Sequence, residues 1–96
     1  MSPINKKKLN LLRIKLDRLD NDILKLIKKR LNLVNEVLQV KIYKKEIIDQ
    51  KRINFILKKI KKKSSQLKID PKITNRVWKN MIWSFIDYEK RNFKKK

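Results

Sequence analysis

The fold of this chain is decided by residues 9–43, which read LNLLRIKLDRLDNDILKLIKKRLNLVNEVLQVKIY. Apolar residues recur there every three or four positions, which is the spacing of one face of an α-helix. Neither glycine nor proline interrupts the pattern, so we predict one helix from about Lys7 to Tyr43, roughly 55 Å long at about 1.5 Å per residue. The predicted apolar face consists of Leu9, Leu12, Leu16, Leu19, Ile23, Leu26, Leu33, Val37 and Val40.

A helix of this length is too long for the remainder of a 96-residue chain to cover. A compact domain of that size has a radius of gyration of about 12–13 Å. The apolar face therefore needs a partner, and a second copy of the chain is the simplest one. We expect a single domain, residues 1–96 with a core of about 7–93, that forms a homodimer.

Two shorter helices are predicted after a charged connector at 44–48. Asp49 is a candidate N-cap for the second helix, which should end near Lys63, before the serines at 64 and 65. Asp70 followed by Pro71 marks the start of the third helix, because proline is favoured in a first helical turn. No strand pattern occurs, so the fold class is all-α, with three helices in each protomer.

The apolar faces of these two helices follow the same periodicity, and both chain ends are polar. We predict that residues 1–6 and 94–96 fray. The second face should comprise Ile53, Ile56, Leu57 and Ile60. The third should comprise Ile73, Val77, Met81, Ile82 and Phe85, with Trp78 beside them and Glu89 directed back toward the core.

The composition excludes several classes of chemistry. With no cysteine and no histidine, the chain lacks thiolate nucleophiles, disulfides and the commonest metal ligand, so we expect neither metal nor cofactor. No apolar run is long enough to span a membrane and no signal peptide is present, which favours a cytoplasmic location.

The net charge of +20 suggests nucleic acid as a partner. Lys, Ile and Asn nevertheless supply 46 of the 96 residues, while Ala and Gly are absent. All of this fits an AT-rich genome in which lysine is the default exposed residue. The chain also has no compact aromatic-basic motif, which argues against specific nucleic-acid binding. A positive field would equally attract a small dianion.

Arg30 occupies the place on the apolar face of the first helix where a leucine is expected. Lys41 lies eleven residues further on, about three full turns, so it shares that face, and Arg13 and Asp20 lie beside it. A buried cation is costly unless an anion meets it, which points to an acidic ligand. The alternative is a long side chain that reaches out of a helix interface into water.

Arginine is itself informative here, because lysine outnumbers it 23 to 6. Guanidinium presents a rigid fork of donors that matches a carboxylate, and ammonium does not. An arginine kept against this bias therefore marks a candidate carboxylate-binding position.

The order of these charged residues resembles the all-helical AroQ class of chorismate mutases. The similar segments are LRIKLDRLDNDILKLIKKR at 12–30, LVNEVLQVK at 33–41, IIDQKR at 47–52 and KIDPKITNRVWKNMIWSFIDYEK at 68–90. The resemblance implies an intertwined homodimer built on two long first helices. It also implies the rearrangement of chorismate to prephenate, which is unimolecular and needs neither cofactor nor covalent intermediate.

The resemblance also implies a role for each charged position. Arg30 would bind one substrate carboxylate, and Arg13 of the partner chain would bind the other. Lys41 and Glu89 would meet the ether oxygen from two sides. Asp49 would lie near the substrate hydroxyl, and Arg52 would support the carboxylate clamp. Each of the last three also has a purely structural explanation: a helix cap for Asp49, a surface position for Arg52 and an exposed partner of nearby lysines for Glu89.

Two positions depart from the family pattern. Ile53 replaces a glutamate that holds the substrate hydroxyl, and Phe85 stands where a small hydroxyl residue is common. Both changes make the predicted pocket drier and bring it closer to isochorismate-pyruvate lyases, which share the scaffold. The lyase therefore remains an alternative function, and a basic helical nucleic-acid-binding module is the alternative from another class.

Overall fold

A computed structural model describes residues 2–94 and confirms the all-α, three-helix protomer. Helix α1 spans Pro3–Val40, α2 spans Gln50–Gln66 and α3 spans Pro71–Asn92. A short 3₁₀ helix, Lys44–Glu46, lies in the connector between α1 and α2, and the described residues contain no strand. The chain divides into two compact units, Met1–Leu33 and Val34–Lys96, which are treated separately below.

The bounds of α1 differ from the prediction at both ends. The helix begins at Pro3 and not at Lys7, because Ser2 caps it and proline suits a first turn. The Asn5 amide donates to Ser2 Oγ at 3.2 Å, so the predicted fraying of residues 3–6 was wrong. The helix also ends at Val40, short of Tyr43, where the connector turns away. At the other terminus, Lys94 follows the end of α3, and positions 95 and 96 lie outside the described residues.

The first unit is helical and leaves its predicted apolar face uncovered. Its aliphatic side chains retain roughly half of their surface, although burying one such side chain contributes about 1.5–3 kcal/mol. This exposure leaves a long apolar surface on the isolated protomer. The exposed members of the predicted face are Leu12, Leu16, Leu19, Ile23, Leu26 and Leu33.

The second unit holds a small aliphatic core. It consists of Leu38, Ile47, Ile53, Ile82 and Ile86, with Ile56, Leu57 and Phe93 packed against it. The predicted face of α2 is confirmed, since Ile53 is buried and its neighbours on that face are at least partly buried. In the last turns of α1, Leu38 is the buried residue, whereas Val40, on the predicted face, is 75% exposed.

The buried face of α3 lies further round the helix than predicted. Ile73 and Val77 are exposed, whereas Thr74, Ile82, Ile86 and Glu89 are buried. Ile73 lies nine residues before Ile82, which places it about 180° round the helix from the core. The isoleucine and valine spacing was helical, but only packing against α2 selects which side is buried.

The turn between α2 and α3 forms without a glycine. Helix α2 continues past Lys63 to Gln66, contrary to the predicted end, and Lys68 then adopts the left-handed conformation with φ 58°. The Ile69 amide donates to the Ser64 carbonyl at 2.9 Å, which closes the helix end in the manner usually reserved for glycine. Asp70 then caps α3 as predicted, accepting from the Lys72 amide at 3.0 Å.

None of the helices in the described residues combines the length and apolar character needed to cross a bilayer.

A buried pair of hydroxyls ties α2 to α3 and can be tested with a matched control. Ser64 and Ser84 both donate to the carbonyl four residues back, at 2.6 and 2.7 Å. Only Ser64 is buried, and only Ser64 also contacts Thr74 Oγ1, at 2.7 Å. We expect Ser64→Ala to lower the free energy of unfolding by about 1 kcal/mol, because Thr74 Oγ1 then keeps only its 3.4 Å contact to the Pro71 carbonyl.

Urea denaturation at one fixed protein concentration measures this effect. The control Ser84→Ala removes the same group from an exposed site and should change the free energy of unfolding by no more than about 0.5 kcal/mol. Equal losses for the two variants would contradict a special role for the Ser64–Thr74 contact.

Candidate functional site

An ion pair between the end of α1 and the last turns of α3 forms the centre of the candidate site. Lys41 Nζ lies 3.2 Å from Glu89 Oε1, although the two residues are 48 positions apart. Their side chains are 17% and 7% exposed, so both charged groups are largely withdrawn from water. The predicted direction of Glu89 toward the core is confirmed, and its alternative as an exposed partner of surface lysines is excluded.

The connector supplies a second acceptor to the same ammonium group. Lys41 Nζ also donates to the Ile47 carbonyl oxygen at 3.4 Å. Ile47 is the least exposed residue of the core, at 3%. Sequence patterns placed it in a charged connector, and the only signal of its burial was its apolar type among lysines.

Asp49 acts as a helix cap and shares a cavity with Lys41. Its carboxylate accepts from the Arg52 amide at 3.0 Å and so begins α2. Asp49 and Lys41 border the same open cavity of about 420 Å³, which is lined by Lys41, Glu46, Ile48, Asp49, Gln50 and Lys51. The cap and a place at the site are therefore compatible, because one carboxylate has two oxygens.

Arg52 and Ile53 follow Asp49 on α2 but lie in different surroundings. The Arg52 guanidinium is exposed and stacks over the Phe55 ring at 5.5 Å from its centre. Ile53 is 6% exposed and belongs to the aliphatic core. Phe85 on α3 is partly buried. Positions 53 and 85 thus contribute apolar surface to this unit, as their residue types predict.

Arg13 and Arg30 both belong to the first unit. Arg13 is exposed, whereas Arg30 is partly buried. Arg30 is partly buried although its neighbours on the predicted apolar face, Leu26 and Leu33, are exposed. The expected roles of both arginines toward a ligand stay predictions.

A second polar contact between α1 and α3 was not predicted from the sequence. Tyr88 Oη donates to Asn35 Oδ1 at 2.9 Å, one turn of α1 before Leu38. Asn35 carries no sequence signal beyond its helical register. With Lys41–Glu89, this hydrogen bond fixes the last turns of α1 against α3.

The arrangement suits electrostatic chemistry. It offers a cation and a carboxyl group side by side in a partly dry setting, where interactions with charge are stronger than in water. The described residues contain no cluster of three carboxylates that could hold a metal ion.

The Lys41–Glu89 pair makes a stability prediction of its own. Lys41→Met should destabilise the protein by about 3 kcal/mol, because it leaves the Glu89 carboxylate buried without its cation. The double variant Lys41→Met with Glu89→Leu should recover most of that loss, since neither charge then remains buried. Urea denaturation of both variants provides the measurement, and a double variant no more stable than Lys41→Met would contradict the pairing.

Comparison with known proteins gives one family. The sequence model of the chorismate mutase type II family matches residues 12–90. This range is most of the chain and includes every candidate site residue discussed above. No curated protein and no solved structure matches the chain.

Proposed function

The chain belongs to the chorismate mutase type II family, and we propose that it rearranges chorismate to prephenate in the cytoplasmic synthesis of phenylalanine and tyrosine. The observation that carries this proposal is the buried Lys41–Glu89 pair. It falls on the two positions that the family resemblance assigns to the reacting ether oxygen.

The proposed reaction needs a shape and a charge distribution, and no nucleophile. Chorismate carries two carboxylates and reacts only from a compact chair-like conformer. Holding that conformer removes much of the entropic part of the barrier. Negative charge grows on the ether oxygen as its bond breaks, so donors that bind this oxygen more strongly in the transition state raise the rate.

Lys41 and Glu89 can serve as those donors in one site. Their polar atoms are 3.2 Å apart, so a single oxygen can lie within hydrogen-bond distance of both. Lys41 donates as an ammonium. Glu89 accepts from Lys41 in this structure, and it has to take up a proton before it can donate to the substrate oxygen. In the absence of substrate, each satisfies the other.

The arginines supply the clamp in this proposal. Arg30 binds one carboxylate of chorismate and Arg13 of the partner chain binds the other, because a guanidinium can donate two parallel hydrogen bonds to a carboxylate. Asp49 lies near the substrate hydroxyl, and Arg52 supports the clamp.

We propose a homodimer in which the two first helices cover each other. The support is the exposed aliphatic face of the first unit, which water would otherwise surround. In such a dimer each active site is shared, because Arg13 comes from the second chain.

The isochorismate-pyruvate lyase reaction is the alternative on this scaffold. It is favoured by the buried Ile53 and the partly buried Phe85, because neither side chain can accept a hydrogen bond from a substrate hydroxyl. The alternative from another class is a basic helical nucleic-acid-binding module, favoured by α2, which carries seven cations and no acidic residue.

The proposal is tested by incubating purified protein with chorismate, and in parallel with isochorismate, and identifying the products by chromatography. We expect prephenate from chorismate. Arg30→Ala and Lys41→Ala should each lower kcat/KM by roughly 100-fold or more, because each removes a charged donor from the transition state. Arg76→Ala, an exposed arginine on α3, is the control and should leave the rate unchanged.

The other outcomes assign the alternatives. Salicylate and pyruvate from isochorismate, without turnover of chorismate, would identify the lyase. The nucleic-acid-binding module would be identified by two results together. Neither substrate would be converted, and the protein would bind nucleic acid with an affinity that falls steeply as the salt concentration rises.

The shared site makes a separate prediction about mixed dimers. Arg13→Ala and Lys41→Ala should each be nearly inactive alone. When their subunits are exchanged, about half of the dimers become mixed, and each mixed dimer regains one intact site, so activity should return to about a quarter of wild type. If Arg13 acted within its own chain, every site would carry one substitution and mixing would restore nothing. Sedimentation first establishes a mass of twice 11.8 kDa.

A further inference from the structure

Two acceptors from different parts of the second unit contact the Lys41 ammonium group. One is Glu89 Oε1 on α3, at 3.2 Å, and the other is the Ile47 carbonyl oxygen in the connector, at 3.4 Å. A lysine side chain has a flexible four-carbon stem, so its ammonium group has no fixed place unless the surroundings provide one. The two acceptors define that place from two directions.

The Ile47 carbonyl is fixed because its own side chain is buried. Ile47 is 3% exposed and packs into the core with Leu38, Ile53, Ile82 and Ile86. A close-packed core transmits position, so the backbone atoms of a buried residue move little. Packing in the aliphatic core thus also fixes the Ile47 carbonyl oxygen, which accepts from Lys41.

Glu46 fixes the turn that leads into Ile47. Its amide donates to the Tyr43 carbonyl at 3.0 Å, and its Oε1 accepts from the Tyr43 amide at 3.0 Å. The Ile47 amide donates to the Lys44 carbonyl at 3.1 Å. These reciprocal bonds close a turn in a connector that contains neither glycine nor proline. The Glu46 side chain itself is exposed.

We propose that Ile47 and Glu46 are positioning residues for Lys41: the connector Tyr43–Ile47 holds the Ile47 carbonyl where it orients the ammonium toward the reacting oxygen. This inference rests on the proposed chorismate mutase function and adds two residues that the family resemblance did not single out. Ile47 is buried and acts only through Lys41, whereas Glu46 acts through the turn and also borders the cavity that Lys41 lines.

Ile47→Ala tests the buried anchor. We expect kcat to fall by roughly 10-fold or more while KM changes by less than about 3-fold, because a misplaced Lys41 weakens an interaction made in the transition state. Ile47→Val keeps most of the buried side chain and should retain a kcat near the wild-type value.

Ile82→Ala is the matched control, since it removes the same atoms from the same core on α3 and leaves the connector intact. All variants are assayed at a temperature where circular dichroism shows them folded. A similar loss of kcat in Ile82→Ala and Ile47→Ala would overturn the proposal, because general loosening of the core would then explain both.

Glu46 provides a second test that opens no cavity. Glu46→Ala removes the acceptor for the Tyr43 amide and should lower kcat several-fold, with KM little changed. Glu46→Gln keeps an acceptor oxygen and should behave like wild type. A wild-type kcat for Glu46→Ala would overturn the role of the turn, and an equal loss for Glu46→Gln would assign the effect to charge and not to position.

Chemical acetylation of Lys41 gives a measurement independent of turnover. The protein is treated with limiting acetic anhydride, and acetylation of Lys41 relative to the exposed Lys44 is quantified by peptide mass spectrometry. We expect Lys41 to react several-fold faster in Ile47→Ala and Glu46→Ala than in wild type or Ile82→Ala, because a released ammonium is more accessible and loses its acceptors.

The two measurements separate the two hypotheses. If the wild-type protein fails to convert chorismate, the proposed function fails, while the acetylation pattern still decides whether the connector holds Lys41. If the protein converts chorismate but Lys41 reacts equally in all four proteins, the positioning inference alone fails.

Discussion

A charged pair withdrawn from water, Lys41 with Glu89, is the interaction on which the second unit depends. Two charges leave water only when they meet each other and find further hydrogen-bond partners. The end of α1, the connector and the last turns of α3 all contribute to that condition. The same low exposure that makes the pair costly to form strengthens the attraction between its two charges relative to that in water.

The small core and the ion pair support each other. Ile47 buries its side chain among four aliphatic residues and presents its carbonyl oxygen to Lys41. Ile86 and Glu89 lie on neighbouring turns of α3, so packing of the first directs the second inward. The residues that form the aliphatic core therefore also position the two acceptors of Lys41.

The restricted alphabet of the chain shapes its local structure as well as its chemistry. Without glycine, the turn after α2 places Lys68 in the left-handed conformation, and the connector after α1 closes through the Glu46 side chain. Without histidine or cysteine, the charged groups available to any site in this chain are those of arginine, lysine and the carboxyl residues. A unimolecular rearrangement is one of the few reactions that such groups can accelerate by binding and electrostatics alone.

The sequence alone determined the three helices, the cap at Asp49, the cap at Asp70 and the inward direction of Glu89, because these follow from periodicity and from local hydrogen bonding. It also identified the family, because charged residues at fixed helical spacings are visible without coordinates. Tertiary structure decided which apolar residues of α1, the connector and α3 are buried in the second unit. Ile73, Val77 and Val40 are apolar and in helical register, yet they are exposed, while Ile47 is buried in a connector that reads as charged. Periodicity reports that a face is apolar, but burial depends on what packs against that face, and the partners of Ile47 come from three different helices.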